Sequence, residues 1–260
     1  VSAPSFDRLL RQARRWPADH PAWTHDRKLA GRALAGRLGI RVPTLLSGPS
    51  FLARLDPPDP GRSAVLKPDA GSTGRAVLLL RPVVGGYALP DGTVRTWPEV
   101  LDLARQAADG NERRRVHDQI HGPWFVEASA TPDGSPPISY RLHTFRRGVE
   151  LVTAGHNPAV VGGDKRVNAW DPRDLWRQVH PWARTKAAVD TSLPRPVNGE
   201  AMIAAARRYL AAVGTAYMRV DFYEDSQGLL FAEQTPVPTW GRTRHVPEWD
   251  RRMGAAWLRS

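Results

Sequence analysis

Apolar residues at helical spacing open the chain: Phe6, Leu9, Leu10 and Ala13 fall on one helix face, and Pro17 and Pro21 break the pattern. A second stripe, Leu29, Ala30, Ala33, Leu34 and Leu38, predicts a helix capped by Asp26 and stopped by Gly39. The period then changes. Ile40 to Leu46 reads as extended and Asp56 to Arg62 as a loop. Ala64 to Lys67 and Ala76 to Leu80 read as strands flanking a turn of small residues. Gly85-Gly86 and Asp91-Gly92 predict hairpin turns, and Trp97 to Ala108 a helix with Pro98 in its first turn.

Further along, Trp124 to Ala128 is apolar and extended, and Ser139 to Phe145 and Val149 to Ala154 flank the turn Arg146-Arg147-Gly148. The polar stretch Asp164 to Arg177 is expected to be a long ordered loop, and Pro181 to Pro196 a surface linker. Glu200 to Val213 is a helix ended by Gly214. Tyr217 to Tyr223 and Leu229 to Glu233 are strands around Asp225-Ser226-Gln227-Gly228, and Trp249 to Leu258 is an amphipathic turn or helix. Antiparallel strands interleaved with a few helices predict an α+β architecture.

Candidate chemistry concentrates in two places. A hairpin centred near Gln227 sets Asp221 opposite Glu233 and Arg219 opposite Thr235 on one face, with Val220, Phe222 and Phe231 on the other. Facing carboxylates repel. A cation between them relieves this, and hard oxygen donors favour Mg²⁺ carrying substrate phosphates. The alternatives are a harmless solvent-exposed pair, or a register one residue away that puts the acids on opposite faces. The second place is Lys67-Pro68-Asp69-Ala70-Gly71-Ser72-Thr73-Gly74 between two strands, whose small residues let backbone N–H groups close on a phosphate. It is neither a P-loop nor a dinucleotide fingerprint, and taken alone it is a turn. His117, His121, His143 and His156 read as structural, with His143 the best placed to act as a base, on the strand face that carries Arg141.

Composition narrows the picture. The chain has 260 residues, enough for one large domain or two lobes, with 41% hydrophobic and 24% charged residues. There is no Cys, which excludes disulfides and thiol nucleophiles. No apolar run is long enough for a membrane helix, and a cytoplasmic location is the expectation. The net charge of +11 comes from Arg; only Lys28, Lys67, Lys165 and Lys186 are Lys. No nucleic-acid-binding motif accompanies it, so nucleic acid is not the expected partner; a basic surface or a basic cleft for polyphosphate accounts for the charge.

Taken together, four ordered segments resemble the ATP-grasp superfamily, most of all its teichuronopeptide-biosynthesis (TupA-like) branch. They are Asp26-Arg27-Lys28-Leu29-Ala30 running to Val42-Pro43; Val65 to Gly74; Phe125-Val126-Glu127 with Ser139-Tyr140-Arg141-Leu142 and its hairpin; and Arg219 to Tyr223 through Phe231 to Pro236. Asp164-Lys165-Arg166 and Ala169-Trp170-Asp171 also look like that branch.

The resemblance implies two α+β lobes gripping ATP, without a full pre-grasp domain. The lead-in would be 1–62, the small lobe with its flap 63–124, and the large lobe with the Mg-ATP site 125–260. It implies that Lys67, Lys28 and Lys165 contact phosphates, that Gly71, Ser72, Thr73 and Gly74 cover them, and that Val126 and Glu127 meet adenine and ribose. Arg141 and Arg219 would face the transferred phosphate or the substrate carboxylate, and Asp221, Glu233 and Thr235 would hold Mg²⁺. Thr235 stands where the superfamily often has Asn, Ala128 where a second hinge acid is usual, and Trp240 in a loop that usually has small residues. The implied activity is a carboxylate–amine ligase acting on small-molecule or peptide substrates, with a homodimer or a partner protein helping to select them. A phosphotransferase, or a basic nucleotide- or nucleic-acid-binding protein without turnover, is the alternative.

Overall fold

The computed structural model describes residues 4–24, 26–70, 76–109, 122–156, 166–184 and 187–260. It is a mixed α/β structure of antiparallel sheets and helices, and contacts divide it into two compact units.

One unit comprises residues 43–137 and 156–163. Its sheet runs in the order β1 (Leu45–Ser50), β6 (Trp124–Ala128), β2 (Ala64–Pro68), β3 (Leu78–Val83), β4 (Gly86–Ala88), β5 (Val94–Arg95), antiparallel throughout. Alternation along β2 and β6 turns Ala64, Leu66, Trp124 and Val126 to one face. There they pack with Val100, Ala104 and Ala108 of helix α4 (Trp97–Asp109), spaced four residues apart to form one stripe. Trp124, Leu66 and Val126 are fully buried, each contributing about 1.5–3 kcal/mol of hydrophobic stabilisation. The opposite face of the same two strands carries Lys67, Phe125 and Glu127. The strand expected from Ala76 begins instead at Leu78, because Ala76 takes a positive φ of 59°.

The other unit comprises residues 1–42, 138–155 and 164–260. Its main sheet has the order β10 (Arg177–Gln178), β9 (Arg166–Asp171), β8 (Gly148–Gly155), β7 (Ser139–Phe145), β13 (Tyr217–Asp225), β14 (Gly228–Thr235), and β12 (Ala188–Val189) runs parallel to β9. Tyr140, Leu142, Val152, Val220 and Phe222 pack one face against α5 (Gly199–Val213) and α3 (Lys28–Arg37). Gly214 ends α5 in the left-handed conformation, φ 77°, as a glycine at that position does cheaply. On the other face, Phe145, Leu151, Ala169 and Tyr217 pack against α1 (Phe6–Ala13) and α6 (Pro247–Leu258). A short helix α2 (Pro21–Thr24) and the two-stranded β11 (Ala183–Arg184)–β15 (Arg244–His245) pair complete the unit.

Three expectations change. Residues 166–171 are not loop but a strand inside the sheet; Val167, Ala169 and Trp170 are buried, and so are the polar Asn168 and Asp171 that disguised it. The expected linker 181–196 contributes β11 and β12. The N-cap of α3 is Arg27 rather than Asp26, and the Arg27 side chain makes no capping hydrogen bond.

Candidate functional site

Within the second unit, the β13–β14 pairing sets Arg219 opposite Thr235 and Asp221 opposite Glu233, and β7 sets His143 opposite Arg219 and Arg141 opposite Asp221. Residues two apart on a strand share a face, so these side chains gather on the surface opposite the α5 core. Arg219 is the hub. Its Nε and Nη2 donate to the two Asp221 oxygens at 2.7 and 2.6 Å, and Nη2 also donates to Glu233 Oε1 at 3.2 Å and Thr235 Oγ1 at 3.1 Å. The guanidinium thus offsets the repulsion that the carboxylate pair would otherwise suffer. Asp221 is 2% exposed and Glu233 35%, so Glu233 is the acid that reaches solvent. Burial pushes the Asp221 carboxyl up, while Arg219 and then Arg141 pull it down; the net direction is up. Arg219 is held more firmly protonated by Asp221 and Glu233 against its own burial. Arg141 donates to the Gly155 carbonyl at 3.2 Å. Lys28 opens α3, and it and Glu233 both lie within electrostatic range of Asp26.

Asp221, Glu233 and Thr235 offer only hard oxygen donors, which suits Mg²⁺. No group of three or more acids or histidines able to hold a metal ion occurs among the described residues. A cation at these carboxylates would have to bring most of its own oxygen shell and share them with Arg219.

Within the first unit, Lys67 Nζ meets Glu127 Oε1 at 2.5 Å and lies 5.5 Å from the centre of the Phe125 ring. Lys67 and Glu127 are diagonal neighbours on one sheet face, since Val65 pairs with Glu127 and Lys67 with Phe125. Both are buried, as is Asp69. Val126 points the other way and is fully buried in the α4 core, so only its backbone could meet a ligand. Gly71, Ser72, Thr73, Gly74 and Lys165 lie outside the described residues, as do His117 and His121.

His143 is buried beside Arg219, and its Nδ1 shares a 2.9 Å hydrogen bond with the Tyr217 hydroxyl. Burial, then His245, Arg219 and Arg141, holds its pKa well below the ordinary histidine range. Sequence reasoning missed the neighbouring group. His245 on β15 binds Asp7 of α1, with Nδ1 to Oδ1 at 2.6 Å and its backbone N–H to Oδ2 at 3.1 Å. No local spacing signals a pair of residues 238 positions apart. Trp240 is 40% exposed, its backbone at φ 54°, and its ring stacks 6.3 Å from that of Trp23.

No protein-family model matches the chain, and no curated protein matches it in sequence. Solved structures with a similar course of the chain include an L-amino acid ligase from Bacillus licheniformis (11% identity, 84% of this chain and 41% of that one, TM-score 0.48). They also include the D-alanine–D-alanine ligase of Helicobacter pylori (12%, 91% and 58%, TM-score 0.47). A third is the ATP-grasp ligase PsnB, solved with a variant of its minimal precursor, Mg and ADP (14%, 92% and 59%, TM-score 0.48). The chain spans 41% to 59% of the length of these proteins.

Proposed function

We propose that this chain is an ATP-dependent carboxylate–amine ligase of the ATP-grasp superfamily, nearest in motif order to its teichuronopeptide-biosynthesis branch. The observation that carries the reading is the Arg219 hub: two cross-strand carboxylates held by one guanidinium, with Arg141 opposite one of them. Positive groups set around an acid pair suit a reaction in which negative charge arrives with a polyphosphate and moves during phosphoryl transfer. Bound Mg-ATP would supply the phosphoryl group that turns the substrate carboxylate into an acyl phosphate.

The chain's own residues position and neutralise. Asp221, Glu233 and Thr235 would hold Mg²⁺, while Arg219 and Arg141 would stabilise the transferred phosphoryl group and orient the substrate carboxylate. Lys67 and Lys28 would take phosphate oxygens, as would Lys165 and residues Gly71, Ser72, Thr73 and Gly74. Glu127 would accept from ribose hydroxyls, and the Val126 backbone would meet adenine. An amine then displaces phosphate and forms the amide.

Titration calorimetry with Mg-ATP tests the binding step, and ADP release with pools of carboxylic acids and amines tests turnover. Wild-type protein should bind and turn over. Asp221→Asn and Glu233→Gln, still folded by circular dichroism, should lose Mg-dependent nucleotide binding and turnover. A folded wild type that binds no Mg-ATP would sink the reading, and a phosphate ester in place of an amide among the products would make the chain a phosphotransferase.

A further inference from the structure

A cavity of about 120 Å³ opens beside Arg219 inside the second unit. That is several times the roughly 10–15 Å³ that one water occupies on the same measure, room for a small ligand. Three arginines, Arg141, Arg184 and Arg219, contribute to its wall, and no acidic residue among the described residues does. Arg219 is committed to Asp221 and Glu233, whereas Arg184 makes no ion pair among the described residues. The Thr239 and Thr243 hydroxyls, 2.7 Å apart, supply neutral acceptors in the same wall. Thr239 sits at φ 50°, a conformation a β-branched residue takes only when its surroundings impose it.

His245 also forms part of the wall. Asp7 accepts from its Nδ1, which fixes the proton on that nitrogen and leaves Nε2 for another partner. Nε2 is buried and has no hydrogen-bond partner among the described residues. An orphaned buried polar atom is destabilising, and an occupant of the cavity would relieve it. The charged and titratable groups around it are Asp7 on α1, Arg141 and His143 on β7, Arg184 on β11 and Arg219 on β13.

We infer that this cavity takes the amine substrate, that the substrate is an amino acid carrying its own carboxylate, and that His245 is the base that activates it. The inference rests on the ligase reading. Arg184 holds the carboxylate and the threonine hydroxyls orient the ammonium group. His245 Nε2 removes one ammonium proton, and the Asp7 carboxylate stabilises the imidazolium that results. The freed nitrogen lone pair forms the C–N bond to the acyl phosphate, and the C–O bond breaks with its electron pair leaving on phosphate. The second nitrogen proton passes to the departing phosphate. Asp7 is a positioning residue; His245 is the group that touches the reacting nitrogen.

The test separates activation of the acid from attack by the amine. Whole protein receives Mg-ATP and each of the twenty standard amino acids as the acid, with hydroxylamine, glycine or methylamine as nucleophile. Hydroxylamine is unprotonated near neutral pH and needs no base. Wild type should form hydroxamate and should use glycine in preference to methylamine. His245→Gln should lower amide formation by ~10²-fold or more relative to hydroxamate formation, and lose the rise of amide rate with pH. Asp7→Asn, which leaves the imidazole in place, should displace that pH limb, and it serves as the test variant if His245→Gln does not fold. Arg184→Gln should raise the KM for glycine by a larger factor than the KM for methylamine or hydroxylamine. Amide formation by His245→Gln at the wild-type rate and pH profile overturns the base. Equal use of methylamine overturns the amino-acid assignment. No hydroxamate from any acid removes the ligase reading and this inference with it.

Discussion

His143 shows how one residue's surroundings set a measurable property. It is buried on the charged face of the sheet, hydrogen-bonded to Tyr217, and its pKa lies well below the ordinary value because burial and neighbouring positive groups oppose the imidazolium. The folded chain keeps it neutral, while the unfolded chain takes up a proton below about pH 6.5. The stability it confers is therefore complete above that pH and is lost as pH falls through it. Urea denaturation at pH 7.5 and pH 5.5 should show a smaller acid-induced loss in His143→Gln than in wild type; equal losses would refute this. Asp221 and Glu233 were legible in the sequence, but not for the whole reason. The hairpin turns through Ser226-Gln227, with Asp225 paired to Gly228, and this register alone would bring Asp221 opposite Ala232. A bulge at Ala232 shifts the ladder by one residue, which restores the Asp221–Glu233 pair and keeps both acids on one face.

Among the elements, the helix stripes were legible because apolar residues three and four apart must share a face. Strand β9 was not, because its polar Asn168 and Asp171 find partners that only folding provides. Asn168 donates to the Leu193 carbonyl at 2.9 Å, and Asp171 accepts from Arg252 at 2.8 Å. The contact between α1 and α6 gives the test at this scale. A Cβ on Gly254 would lie 1.8 Å from the Pro4 carbonyl oxygen, so α6 meets the segment leading into α1 through the absence of a side chain. Gly254→Ala should force α1 away and destabilise the protein by about 1–3 kcal/mol in chemical denaturation. Because α1 carries Asp7, the same change should loosen the hold on His245. Gly36→Ala on the exposed side of α3, where nothing lies within 4 Å of the added carbon, should instead stabilise by about 0.5–1 kcal/mol. A neutral Gly254→Ala would show that the two helices do not pack this closely.

For the molecule as a whole, the division into units is not a division of the chain into consecutive pieces. The unit with the seven-stranded sheet is built from three separate segments, whereas all six strands of the other sheet, together with α4 and its apolar cluster, fall within residues 43–137. Expressed alone, residues 43–137 should unfold cooperatively, with near-ultraviolet circular dichroism from Trp97 and Trp124; a featureless spectrum would show that this core needs the rest of the chain. Ionic strength is informative at the same scale. No helix among the described residues is long and apolar enough to cross a membrane, and the charge of +11 includes the guanidiniums gathered around the Arg219 cluster and its cavity.

Local order settled what the sequence could say by itself: the apolar stripes of the longer helices, and that the last hairpin faces two carboxylates with an arginine beside them. Each follows from periods of 3.6 and 2 and from turns a few residues long, and each is written in adjacent residues. Tertiary structure decided the rest. It filled the space between the acids with Arg219, turned Val126 into the core, and carried Asp7 from the first helix to His245 near the end of the chain. Those contacts join segments far apart in sequence, and their geometry depends on helix packing and on one bulge, for which no local pattern exists.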